Sequence, residues 1–65
     1  MPEKWTGEVV GLMHNHRVSF QQLADKLGWH VKYLSAVLNS KRKPIDAEEK
    51  VRSALTELIK EQSEN

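Results

Sequence analysis

The stretch Val18–Pro44, VSFQQLADKLGWHVKYLSAVLNSKRKP, decides the fold of this 65-residue chain. It holds two short helix signatures separated by Gly28-Trp29-His30, and a basic run follows the second. Ser19 is a good helix N-cap, and Gln22 three residues later completes a capping box. Val18 before the cap and Leu23 inside the helix form the matching hydrophobic staple. Gly28 ends this helix where a left-handed backbone is needed, a conformation that costs glycine little. His30 then caps the next helix, with Trp29 and Leu34 as a second staple. The signals predict helices over Phe20–Leu27 and Val31–Asn39, to within ~2–4 residues at each end.

Working outward, Trp5, Val9, Leu12 and Met13 recur at helical spacing and predict an apolar stripe on a helix within Lys4–His14. Gly7 and Gly11 lie opposite the stripe and weaken that helix by ~1 kcal/mol each relative to alanine. Asn15-His16-Arg17 reads as a short connection. Beyond the basic loop, Asp46 caps a last helix over about 47–62, with Glu49 closing a second capping box. Val51, Leu55, Leu58 and Ile59 form its inner stripe, with Ala54 beside them, and Gln62–Asn65 reads as a fraying polar end. There are no strand signals, repeats or linkers. The expected fold is all-α: a single small domain over 1–65, built as a four-helix bundle around a helix-turn-helix at about 19–39.

The net charge of +1 hides an uneven distribution. From Met1 to Asp25, Lys4 and Arg17 face Glu3, Glu8 and Asp25. Lys26–Ile45 carries Lys26, Lys32, Lys41, Arg42 and Lys43 and no acid, and Asp46–Asn65 has six acids against three bases. A basic segment confined to the helix-turn-helix is the footprint of a nucleic-acid binder. There is no cysteine, so disulfides and thiolate metal sites are excluded. No apolar run approaches the ~20 residues of a membrane span, and Met1-Pro2-Glu3-Lys4 leads into no signal-peptide segment. A cytoplasmic protein without cofactor or metal is the default expectation.

Catalytic groupings are thin. His14 and His16 lack further ligands for a tetrahedral metal shell and read as a loop pair. Ser35 has no base arranged to activate it, there is no glycine-rich phosphate loop, and Glu48 and Glu49 diverge on a helix. Trp5 and Trp29 read as core and rim. No enzyme is expected.

The run Ser19-Phe20-Gln21-Gln22-Leu23-Ala24-Asp25-Lys26-Leu27-Gly28, followed by Leu34-Ser35, Val37-Leu38-Asn39 and Lys41-Arg42 before a proline, resembles the Cro/repressor, or XRE-type, helix-turn-helix family. The resemblance covers about the middle two-fifths of the chain closely, and the flanking helices more loosely. It implies a lambda-repressor-like bundle whose usual fifth helix is absent or merged into the last. It also implies a sequence-specific transcriptional regulator of phage or bacterial type, acting on double-stranded DNA as a repressor that occupies an operator. If the chain forms a homodimer, the operator is a palindrome.

Matched to the family's positions, His30, Val31, Lys32, Ser35 and Ala36 are expected at base edges, with Lys32 the residue best suited to guanine O6/N7. Val31 and Ala36 can meet a thymine methyl or stand simply as small surface residues, and for Ala36 the two readings weigh equally. Gln21, Tyr33, Asn39, Lys41, Arg42 and Lys43 are expected at phosphates, while Gln22 is held in its capping box and Lys26 faces solvent. Phe20 stands where the family often has a DNA-contacting glutamine. Trp29 fills a turn position usually held by a smaller aliphatic. Ser40 replaces a common glycine, which predicts a less sharply turned corner. Val10 and Ile59, at the stripe edges, are either dimer contacts or core margin. The alternative reading is a protein-interaction module of the same fold, antitoxin- or antirepressor-like, which binds a protein partner through its acidic last helix.

Overall fold

A computed structural model describes residues 3–63, which form four helices: α1 (Lys4–Asn15), α2 (Phe20–Leu27), α3 (Val31–Leu38) and α4 (Ala47–Ser63). The middle pair falls where the capping signals put it. Both bonds of the Ser19–Gln22 box form, with the Gln22 amide donating to Ser19 Oγ at 3.0 Å and the Ser19 amide to Gln22 Oε1 at 2.8 Å. Glu64 and Asn65 of the expected polar end lie outside the described residues, as do Met1 and Pro2 of the segment read for a signal peptide. Gln62 and Ser63 are still helical. No fifth helix occurs among the described residues, and no helix there is long and apolar enough to cross a membrane.

Helices of eight residues are too short to persist alone, so packing holds α2 and α3 in place. One cluster joins Val9 and Met13 of α1, Val18 just ahead of α2, Leu23 and Ala24 of α2, Leu34 and Leu38 of α3, and Val51, Ala54 and Leu55 of α4. Trp29, Leu58 and Ile59 pack at its margin. Both staples therefore reach one core, and α4 lies against α1 and α2.

The α1 stripe differs from expectation. Leu12 is 38% exposed, and Thr6 is buried in its stead at 1%. Thr6 tolerates this because its hydroxyl donates to the Glu3 carbonyl at 2.6 Å, so no buried donor is left unmet.

Three helices end in one way. The Val18, Trp29 and Lys41 amides donate to the carbonyls of Met13, Ala24 and Ala36 at 2.8–2.9 Å. One residue earlier, the Arg17, Gly28 and Ser40 amides donate to His14, Asp25 and Val37. This pair of bonds is the Schellman motif, and it puts Arg17, Gly28 and Ser40 at φ of 55°, 75° and 60°. The Ser40 corner is therefore turned as fully as the glycine corner, against expectation. The hydrogen bonds dictate the backbone, and the serine accepts the strain.

The start of α4 also departs from the predicted capping box. Asp46 has φ 60°, not the extended backbone of a side-chain cap. It meets α4 through its main-chain carbonyl, which accepts from the Lys50 amide at 2.9 Å. Among the described residues, neither side-chain bond of an Asp46–Glu49 box forms.

Charged pairs clamp α4 on both flanks. Arg52 donates to Glu8 of α1 at 2.6 Å and to Glu48 at 2.8 Å. Lys26 of α2 is exposed, as expected, and its ammonium reaches Glu61 at 2.5 Å and Glu57 at 3.6 Å. The hydrogen bond from Glu61 raises the Lys26 ammonium above its ordinary range, and those from Glu8 and Glu48 do the same for the Arg52 guanidinium. A raised base pKa contributes stability that is fully present below the unfolded-state value, while the partner carboxylates stay ionised, and is lost as pH climbs through the folded-state value. These links hold through the neutral range and weaken with salt.

An alanine Cβ at Gly28 meets no atom within 4 Å, so its penalty is conformational alone. Gly28→Ala should cost ~1–2 kcal/mol, lowering the melting midpoint by ~4–8 °C per kcal/mol. Arg17→Gly should raise the midpoint by relieving the same strain. Thermal unfolding by circular dichroism reads both, and a Gly28→Ala midpoint equal to the parent's would refute the left-handed corner.

Candidate nucleic-acid interface

The outer surface of α3 and the loop after it carry the residues expected to meet DNA. Leu34, Val37 and Leu38 turn into the core, which fixes the rotation of α3 about its axis. Lys32, Tyr33 and Asn39 are consequently exposed, and Ser35 and Ala36 are half-buried beside them. Val31 does not stand outward as expected. It is half-buried and packs on the core cluster, because the first turn of α3 leans on the bundle.

Each outward residue is held by a different contact. His30 accepts the Lys32 amide through Nδ1 at 3.1 Å, capping α3 as its position predicts. The Tyr33 ring is 37% exposed and meets Trp29 edge-on, with centroids 5.0 Å apart and planes at 86°. This T-shaped packing restricts the phenol to a narrow arc on the surface. The large turn residue Trp29 is thus a support for Tyr33 as well as a margin of the core.

Two of the expected phosphate contacts are engaged within the chain. The Gln21 side-chain amide donates to Asp25 at 2.8 Å. Asn39 Nδ2 donates to the Ser35 carbonyl at 2.8 Å, which closes the end of α3, and lies 3.4 Å from Ser35 Oγ. Either side chain keeps a second polar atom beyond these bonds.

The basic loop divides into free and paired cations. Among the described residues, Lys32, Lys41 and Arg42 form no ion pair, and all three are exposed. Lys43 is 68% exposed and lies 3.5 Å from the Glu3 carboxylate. Glu3 is fixed from two other directions. Its second carboxylate oxygen accepts from Trp5 Nε1 at 2.6 Å, and its amide donates to Ser40 Oγ at 3.0 Å. The chain start is therefore pinned to the corner that follows α3.

The Glu3–Lys43 pair has no sequence signal, since forty positions separate its members and nothing in the basic run singles out Lys43 for a partner within the chain. Ile45 was missed as well. It is 84% exposed at the end of the basic loop, outside every apolar stripe, and a single apolar residue in a loop has no periodicity to report. Of the two residues weighed as dimer contacts, Val10 is 40% exposed and Ile59 is half-buried against the core.

The other chemistry-bearing residues do not converge. Among the described residues, no group of three or more histidines and acids is placed to hold a metal ion. The surface with concentrated, unneutralised charge is the one formed by α3 and the loop. The chain matches no family model, no curated protein and no solved structure.

Proposed function

We propose that this chain is a sequence-specific double-stranded DNA-binding regulator that lays the exposed side of α3 in the major groove and acts by occupying an operator. The observation that carries the reading is the grouping of Lys32, Lys41 and Arg42, unpaired and exposed, on one helix and the loop that continues it. A helix this short, mounted on a turn and flanked by cations, suits groove entry, with its first turns at the base edges and the loop on the backbone. Lys32 is the base-reading candidate, and Ser35 and Ala36 face the same side at shallower depth. Lys41 and Arg42 serve phosphates directly, whereas Lys43 must first leave Glu3.

The reading of the fold as a partner-binding module through α4 draws less support. Glu48, Glu57 and Glu61 each already have a cationic partner within the chain, Arg52 or Lys26, and are not held open for an outside one. A repressor of the Cro type remains the best-supported role, with double-stranded DNA as partner.

Selection of binding sites from random duplex DNA at near-physiological salt tests the proposal, and an enriched motif is expected. A palindromic motif would add a dimer whose half-sites lie about one helical turn apart. An unenriched pool would sink the DNA reading and turn attention to a protein partner. On the enriched duplex, Lys32→Ala should cost ~1–3 kcal/mol and relax base preference at one position. Uniform loss across sequences would remove Lys32 from base reading.

Salt dependence separates the cations. Replacing both Lys41 and Arg42 with alanine should flatten the slope of log affinity against log salt by about two. Glu3→Gln should steepen it by about one, since Lys43 would then be released to a phosphate. An unchanged slope in the Glu3 variant would show that Lys43 stays off the DNA.

A further inference from the structure

His30 occupies the join between the turn and α3, and its two ring nitrogens have different surroundings. Nδ1 accepts the Lys32 N–H at 3.1 Å, meeting one of the amides that every helix N-terminus leaves open. A ring nitrogen that accepts carries no proton, so the neutral imidazole holds its proton on Nε2. His30 is exposed, and Nε2 makes no hydrogen bond to any described residue. The two nitrogens diverge across the ring, so a ring whose Nδ1 is turned to the helix amide presents Nε2–H away from it. Lys32, the nearest cation along the chain, belongs to the same first turn.

We propose that the α3 cap locks His30 in the Nε2–H tautomer and so makes it a fixed single donor to a DNA acceptor, a phosphate oxygen or a purine N7 or O6. This assignment rests on the DNA-binding reading above. It gives one side chain two coupled tasks, because the bond that starts the helix also chooses which nitrogen donates. Serine caps a helix as well as any residue but cannot place a donor as far out as the imidazole does. The imidazole therefore adds an outer nitrogen to the cap, and the cap fixes the direction in which that nitrogen points.

Three measurements test it on the whole chain. Nitrogen-15 spectra of the neutral imidazole in free protein should show an acceptor-type Nδ1 and a protonated Nε2, and the opposite tautomer overturns the proposal. His30→Ser should keep the parent's melting midpoint to within ~2 °C and bind the selection-enriched duplex ~10-fold more weakly. His30→Ala should lose both stability and affinity. If the serine variant binds as tightly as the parent, His30 is a cap only and the donor role is overturned.

The acceptor is found by repeating the parent–serine comparison on modified duplexes. Loss of the difference on a duplex with one methylphosphonate places Nε2–H on a phosphate, and loss on a 7-deazapurine duplex places it on a purine N7. Loss on a duplex with guanine replaced by 2-aminopurine, which lacks O6, places it on O6, and a difference that survives all three modifications overturns the contact. A parent chain that enriches no duplex fails the DNA-binding reading itself, and the tautomer measurement still reports on the cap.

Discussion

The bundle is organised by three corners at which the backbone is forced into the left-handed region. Arg17, Gly28 and Ser40 each close a helix with the same two hydrogen bonds, and each sends the chain back across the core. Helices of eight residues cannot hold themselves together, so their direction depends on these corners and their persistence on the apolar cluster beneath. Only one of the three positions is glycine. At the other two the fold spends conformational energy to put Val18 and Lys41 where the following segment needs them.

Much of this was legible in the residues. Ser19, Gln22, Gly28 and His30 are local signals, each complete within about five positions, and α2 and α3 lie where they indicate. The apolar stripe of α4 follows from periodicity alone. Where expectations failed, the causes differ from residue to residue. Leu12 lost its buried place to Thr6, whose hydroxyl meets the Glu3 carbonyl three residues back. Lys26 stays exposed, as expected, but its partner Glu61 lies thirty-five positions away, beyond the reach of any local pattern. Asp46 has the chemistry of a cap but not its backbone angle, because the chain arrives from the basic loop in a left-handed turn.

At the candidate interface, residue type was readable and engagement was not. The family resemblance put Lys32 and Asn39 on the outside, yet it could not show that Asn39 folds back on its own helix or that Val31 leans inward. The charge pattern was read as a basic centre between two acidic flanks. In three dimensions the flanks are largely spent on ion pairs within the bundle, with Glu8 and Glu48 on Arg52 and Glu57 and Glu61 on Lys26. Lys32, Lys41 and Arg42, by contrast, have no ion-pair partner among the described residues. A net charge of +1 thus understates the field in front of α3.

The bond from the Glu3 amide to Ser40 Oγ has a practical meaning for anyone handling this protein. It brings Glu3 to the end of α3, beside Lys43. A fluorescent label on the Glu3 side chain would therefore sit at the rim of the basic loop, whereas one on Glu61 would sit beside Lys26, where α2 meets α4. Labels at the two positions would report separately on the corner that closes α3 and on the contact that holds α4.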